Sequence, residues 1–284
     1  MSAICLCSVQ DIAAQNIKQQ LLALYPFTEK EETFDGVPIY QLNNLSIVTI
    51  KSDSIYADRL DQQLSADIFI FASRHKSASF KPALLVHTPG NWAAAELGGK
   101  PSKLCIAHPS AVKVAHQALL AERKRLKLDM WACGLEATHH GPWIEETPAL
   151  FVEIGSVEQD WRNEVAAKAV ARAIMAVAEN LQESAPAFLG FGGPHYCPAF
   201  TRLSIETNFA PSHLMPKYHL DQVSESLISQ AIERTFGHVS VAAIDWKGIR
   251  GSQRGRLLKI LDGLDIEAQR VRDLLRAPIE DSKG

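Results

Sequence analysis

With 284 residues, 46% of them hydrophobic, the chain can bury a large core and is too rich in apolar side chains to be mainly disordered. The 29 Lys and Arg against 32 Asp and Glu leave a net charge of −3, so no global charge announces a polyanion partner and any nucleic-acid surface has to be local. No apolar run reaches the roughly 18 residues needed to span a bilayer, and the five scattered cysteines form no C-x-x-C pair, which favours reduced thiols and a cytoplasmic protein with no membrane partner.

The start, Met1–Val9, lacks the basic n-region and long h-region of a secretory signal and reads as a core strand over Ala3–Ser8. Asp11 caps a helix with Ile12, Ile17, Leu21 and Leu22 on its apolar side. Val37–Leu42 and Leu45–Ile50 flank Asn43-Asn44 and form a hairpin. Strands follow at Ala66–Ala72 and Ala83–Val86, running into Ser73-Arg74-His75 and His87-Thr88-Pro89-Gly90-Asn91.

Pro109 opens a long helix through Leu128 with Val112, Ala115, Leu119 and Leu120 at helical spacing. Met130–Thr138 is a strand leading into His139-His140-Gly141-Pro142, and Ala149–Ile154 is another. Trp161 through Leu181 is an amphipathic helix, and Ala187–Phe191 a strand entering Gly192-Gly193-Pro194-His195-Tyr196-Cys197. Phe209–Leu220, with two prolines and His213, Lys217, Tyr218 and His219, reads as irregular. A helix from Ser224, a strand at Val239–Ile244 and two C-terminal helices complete the chain. The alternation describes one α/β domain over residues 1–284, a mixed, largely parallel sheet flanked by helices.

Four segments at strand ends carry His, and open α/β sheets collect function at the carboxyl edge of parallel strands. Adjacent His139 and His140, followed by Gly-Pro, are hard to assign to packing. One of them can take a proton from water, oriented by a carboxylate such as Glu136, although neighbours on an extended chain point opposite ways. Gly192 and Gly193 offer N–H groups to a developing oxyanion or a phosphate, with Gly141, Arg74, Asn91 and Tyr196 around the substrate. His195 or Lys217 is placed to assist a leaving oxygen. Local spacing shows no zinc signature, but His75, His87, His140 and His195 are a candidate metal set if the fold gathers them. Two basic runs, Arg123-Lys124-Arg125 with Lys127, and Lys247, Arg250 and Arg254, are candidate phosphate contacts against the plainer reading of solvated helix faces.

Ser73-Arg74-His75, Val86-His87 with Gly90-Asn91, Ala95-Glu96-Leu97-Gly98-Gly99, Glu136 through Pro142, Gly192 through Tyr196, and Leu214-Met215-Pro216-Lys217-Tyr218 occur in one order. In this the chain resembles the archaeal and plant type of D-aminoacyl-tRNA deacylase, first described as D-tyrosyl-tRNA deacylase, over most of its length. The resemblance implies hydrolysis of the ester joining a D-amino acid to the terminal ribose of tRNA, a fold similar to peptidyl-tRNA hydrolase and the nucleoside phosphorylases, and bound zinc. D-aminoacyl-tRNA is then the expected partner, with no obligate protein partner evident. Three other readings stay open: peptidyl-tRNA hydrolysis, a phosphorylase-like enzyme, and a non-catalytic module that holds a tRNA end or a metal.

Overall fold

A computed structural model describes residues 1–181 and 185–276. Strands β1 (Ala3–Ser8), β2 (Thr28–Phe34), β3 (Val37–Leu42), β4 (Leu45–Ile50), β5 (Ile68–Lys76), β6 (Ala83–His87), β7 (Ala132–Leu135) and β8 (Ala149–Ser156) form one sheet in the order β2-β3-β4-β1-β5-β8-β6-β7. Strands β9 (Ala187–Phe191), β10 (Ala210–Met215), β11 (Val239–Ile244) and β12 (Ala268–Arg270) form a second, parallel one, β10-β9-β11-β12. The helices are α1 (Ile12–Leu24), α2 (Pro109–Arg125), α3 (Glu158–Trp161), α4 (Glu164–Glu179), α5 (Pro198–Glu206), α6 (Glu225–Glu233), α7 (Gly251–Gly263) and α8 (Val271–Leu274). The architecture is the mixed, largely parallel α/β one expected.

Alternation along the strands gives the large sheet two apolar faces. Ile68, Ile70 and Ala72 of β5, Leu84 and Val86 of β6, and Leu150, Val152 and Ile154 of β8 share a core with the buried sides of α1, α2 and α4. The opposite face, with Phe69, Phe71 and Phe151, is covered by Trp143, Ile144 and Leu60. The first core also takes in Phe188, Leu214 and Val241 of the small sheet, so the two sheets share buried apolar side chains.

One directional expectation fails. β6 runs antiparallel to β8, with Ala83 opposite Gly155 and His87 opposite Phe151, whereas β5 and β8 are parallel. The histidine-bearing ends of β5 and β6 therefore do not share one carboxyl edge; they lie along one face of the sheet, on either side of Glu153. Among the elements, Met130–Thr138 shortens to β7 because, after Glu136, residues 137 and 138 leave the large sheet and bond the small sheet and its loop instead: Ala137 N–H donates to His195 O and Thr138 N–H to Leu214 O. The segment read as irregular contains the buried strand β10, and α5, β2 and β12 were not anticipated.

Candidate active site

The seam between the two sheets holds the polar cluster. Glu136 follows β7, its N–H still bonded to Val86 O, and its side chain is fully buried. Its Oε1 lies 2.9 Å from His195 Nε2 and 3.4 Å from His75 Nδ1, and its Oε2 lies 3.5 Å from His87 Nδ1. Burial alone would raise this carboxyl, but the surrounding imidazoles of His195, His87, His139 and His75 outweigh it and hold the group well below its ordinary value. Ionised, Glu136 accepts Nε2–H from His195. A neutral His195 then has Nδ1 as its basic nitrogen, and Tyr218 Oη, 3.1 Å away, donates to it.

His75 extends from β5 above Gly155, where a Cβ would come within 2.6 Å of the imidazole. Its Nδ1 sits 3.6 Å from Glu153 Oε2 as well as near Glu136. Burial opposes its charge, but Glu153 and Glu136 prevail and push the imidazole up to about 10. As an imidazolium it donates Nε2–H to Tyr196 Oη at 3.2 Å, and that hydroxyl also bonds Ser77 at 2.8 Å. A charged His75 is a poor metal ligand.

His139 and His140 both face inward, contrary to the alternation expected of an extended chain. His140 has φ +46°, a left-handed conformation that costs a non-glycine residue about 1–2 kcal/mol, and it swings the two rings to 4.2 Å apart. His140 O accepts from Gly90 N–H at 2.8 Å, which fixes the turn. Gly141 is required beside it: a Cβ there would lie 2.2 Å from Ile55 O and 2.3 Å from Gly99 N. Both imidazoles spend Nδ1 on backbone carbonyls, His139 on Ala137 O at 2.8 Å and His140 on Gly141 O at 2.6 Å, which leaves each Nε2 bare. Burial, with repulsion from His87, pushes His140 down to about 3, and burial with repulsion from His140 takes His139 well below its usual value. His87 stacks on Phe151 (ring centres 5.2 Å apart) and both its nitrogens lack a hydrogen-bond partner, as does Glu136 Oε2.

The expected metal set of His75, His87, His140 and His195 is not one constellation. Among the described residues, the groups whose ligand atoms fall within 4.8 Å of one another are His87, His139 and His140; Glu136, His139 and His195; and His75, Glu136 and Glu153. Of the expected four, His87 and His140 stay together and are joined by His139, while His75 and His195 fall outside that group. The nitrogens of His87, buried and without a hydrogen-bond partner among the described residues, and the two bare Nε2 atoms form an imidazole donor set, which fits zinc.

A cavity of about 380 Å³ opens over this cluster, lined by His139, His140, His195, His75, Glu153, Arg74, Asp53, Ile55 and Leu97. Arg74 donates to Asp53 Oδ2 at 2.5 Å and to Gln10 O at 2.9 Å. Asn91 lies outside the lining; it donates to Gly98 O at 2.9 Å and so braces the loop that presents Leu97. Gly192 N–H already donates to Met215 O at 2.8 Å and so is not free for an oxyanion; a Cβ on Gly192 would meet Ile249 and one on Gly193 would meet Asp245, and neither glycine lines the cavity. The Lys217 side chain is exposed at the rim, and its N–H donates to Gly193 O at 3.0 Å. Cys197 is buried and its thiol pushed up by that burial, which removes it as a nucleophile.

The two basic runs separate. Arg123, Lys124, Arg125 and Lys127 lie at the end of α2, on the sheet face opposite the cavity; Arg123 caps Trp131 O and Arg125 pairs with Glu122. Of the second run, Arg250 pairs with Asp221, in the same short helical turn as Lys217 and Tyr218, whereas Arg254 lies over the Trp246 ring at 4.2 Å. Two groups of the site were given no role by the sequence. Glu153 was signalled by a lone carboxylate inside the apolar run Leu150–Ile154, and Tyr218 by its place beside Lys217.

The sequence model of the D-aminoacyl-tRNA deacylases matches residues 62–269. Proteins named D-aminoacyl-tRNA deacylase from Thermococcus kodakarensis and Pyrococcus furiosus are 39% and 38% identical to the chain, each over 90% of it and 95% of their own length. One from Methanosarcina barkeri is 37% identical over 92% of the chain and 87% of its own. The crystal structure of a conserved protein of unknown function superposes with a TM-score of 0.89, at 28% identity and 97% coverage of both chains. The matched span runs from the approach to β5 through β12 and so contains every imidazole and carboxylate of the cluster: the chain belongs to the D-aminoacyl-tRNA deacylase family.

Proposed function

We propose that the chain, acting as a single catalytic domain, hydrolyses the ester of D-aminoacyl-tRNA, releasing a free D-amino acid and tRNA in the cytoplasm. The observation that carries the chemistry is the Glu136–His195 pair at 2.9 Å, opening onto a cavity lined by the imidazoles of His139 and His140. Its volume is at the lower end of ligand pockets, roughly 300–1,000 Å³, which suits an aminoacyl group with its terminal ribose and leaves the body of the tRNA outside.

Glu136 holds Nε2–H of His195, so Nδ1, once the Tyr218 hydroxyl that donates to it at rest swings aside, takes the proton from the water that attacks the ester carbonyl. The resulting imidazolium is stabilised by the same carboxylate and returns the proton to the departing ribose oxygen. His87, His139 and His140 would hold zinc, with Glu136 Oε2 beside them. When bound there, zinc supplies Lewis acidity toward the ester carbonyl and the charge developing on its oxygen. His140, with its depressed basicity, is on this reading a holding group rather than the proton acceptor. Lys217, Lys247, Arg250 and Arg254 meet phosphates at the mouth. His140→Ala and His195→Ala should each abolish deacylation of D-tyrosyl-tRNA while leaving the circular dichroism spectrum unchanged; full activity in both variants overturns the assignment.

A further inference from the structure

Two tyrosines stand at the mouth with their hydroxyls turned inward and their rings left to solvent. Tyr196 Oη bonds His75 Nε2 and Ser77 Oγ, and Tyr218 Oη bonds His195 Nδ1, yet the residues remain 40% and 52% exposed. The two side chains come from different elements, Tyr196 from the β9–α5 turn and Tyr218 from the turn after β10, and converge on the two imidazoles that flank Glu136. Each ring keeps an imidazole neighbour, His219 at 4.7 Å from Tyr218 and His195 at 5.4 Å from Tyr196, but a tyrosine that spends its polar atom on the protein and leaves part of its apolar ring to water is built to be covered. Across the cavity, Leu97 lines the wall and is 54% exposed, with the ring of Tyr56 beside the adjoining Gly98.

Charge selects the occupant. Lys76 lines the cavity and is exposed, Lys217 precedes Tyr218, and Lys247 sits in the short helix whose Gly248 abuts the Gly193 backbone. Cations set around exposed aromatic faces are the pattern that binds single-stranded nucleic acid, with bases stacked on the rings and phosphates on the lysines. Continuity selects the segment. An ester reaching His195 brings its ribose into the cavity, and the nucleotides before it must cross this rim.

We propose that the rings of Tyr196 and Tyr218 are stacking platforms for the unpaired bases that precede the esterified ribose, with Lys76 and Lys217 on the connecting phosphates. The proposal rests on the tRNA-ester reading above and adds to it the recognition of an unpaired 3′ end, as distinct from the duplex behind it. Stacking on an aromatic side chain is worth about 1–3 kcal/mol per base, so each ring removed should weaken binding roughly tenfold.

The test is the affinity of the intact protein for a fluorescent five-nucleotide single-stranded RNA ending in CCA. Tyr196→Ala and Tyr218→Ala should each weaken binding about tenfold, while Tyr196→Phe and Tyr218→Phe, which keep the ring and lose the hydroxyl, should bind within about twofold of the parent. Melting curves establish that all four variants are folded. Alanine variants that bind like the parent, or phenylalanine variants that lose as much as alanine, overturn the proposal. Hydrolysis of D-tyrosyl-tRNA by the parent is measured in parallel. Hydrolysis with unaltered binding in the alanine variants removes the platforms alone, whereas ring-dependent binding without hydrolysis removes the enzymatic reading and supports the platforms.

Discussion

Replacing Glu136 with glutamine conserves shape and removes one buried charge from among three imidazoles at 2.9, 3.4 and 3.5 Å. The charge-assisted bond to His195 is worth about 1.5–3 kcal/mol in the resting state, and more once His195 becomes an imidazolium. An amide also has to place its NH₂ somewhere. Turned toward His195 it forces the proton onto Nδ1, the nitrogen required as base; turned toward His87 it leaves an uncharged oxygen facing His195, and in either orientation His75 keeps Glu153 as its single carboxylate partner. In serine-protease triads the matching carboxylate-to-amide change costs roughly 10,000-fold in kcat by the same loss of tautomer. We expect Glu136→Gln to lower kcat on D-tyrosyl-tRNA by roughly 1,000-fold, about 4 kcal/mol, with KM changed much less. Glu136→Asp, which keeps the charge and withdraws it from His195, should fall between. Single-turnover deacylation below the melting temperature of each variant is the assay. Glu136→Gln with kcat within threefold of the parent would refute the pairing of Glu136 and His195 as the proton-handling unit.

Three further outcomes follow from the same geometry. Zinc measured by elemental analysis should accompany the purified protein; removing it with a chelator should abolish deacylation and lower the melting temperature, and His87→Ala should purify without it. A metal-free protein of full activity would exclude the imidazole set from that role. Lys217→Ala with Lys247→Ala should raise KM for the tRNA ester and reduce its salt dependence, whereas Lys124→Ala with Lys127→Ala, on the opposite sheet face, should leave both unchanged; the reverse would place the tRNA on α2. Burial takes His116 and His213 down to about 4, below the ordinary imidazole value of about 6.5, and both His116 nitrogens lack partners among the described residues. The unfolded chain therefore binds more protons than the folded one between about pH 6.5 and 4, and stability is lost as pH falls through that window. Urea midpoints should drop between pH 7 and pH 5, and His116→Leu should lessen the drop. An equal drop in the variant would contradict the burial argument.

What sequence could reveal divides along physical lines. β1, β3, β4, β9 and β11 carry the bounds read from the sequence, and β6 differs by one residue; their signals are apolar runs bounded by turns, with Asn43 in the left-handed conformation its hairpin needed. β10 was hidden because Pro211 and His213 look unlike a strand. It is an edge strand with its register shift between Pro211 and Leu214, the position where proline is tolerated, and His213 Nε2 meets Arg234 O. β2 is a charged edge strand whose Glu-Lys-Glu-Glu sequence has no buried face to betray it. α5 did leave a signal in Pro198 at its first position.

The site was half legible. Local motifs named Glu136, His139, His140, His75, His87 and His195, because adjacent imidazoles and glycine turns are costly without purpose. How they combine depends on the direction of β6, the left-handed turn at His140 and the bonding of Gly192 N–H to Met215, none of which a linear pattern encodes. For the same reason charge runs alone could not rank α2 against the Lys247 region. What separates them is that Arg250 pairs with Asp221 in the turn of Lys217 and Tyr218.

The most direct test of the account is deacylation of matched D-tyrosyl-tRNA and L-tyrosyl-tRNA by the purified protein, with and without a chelator. The account predicts rapid release of the D-amino acid, little release of the L-amino acid, and loss of the D-activity with chelator. Equal rates on the two esters, or no release from either, would contradict it.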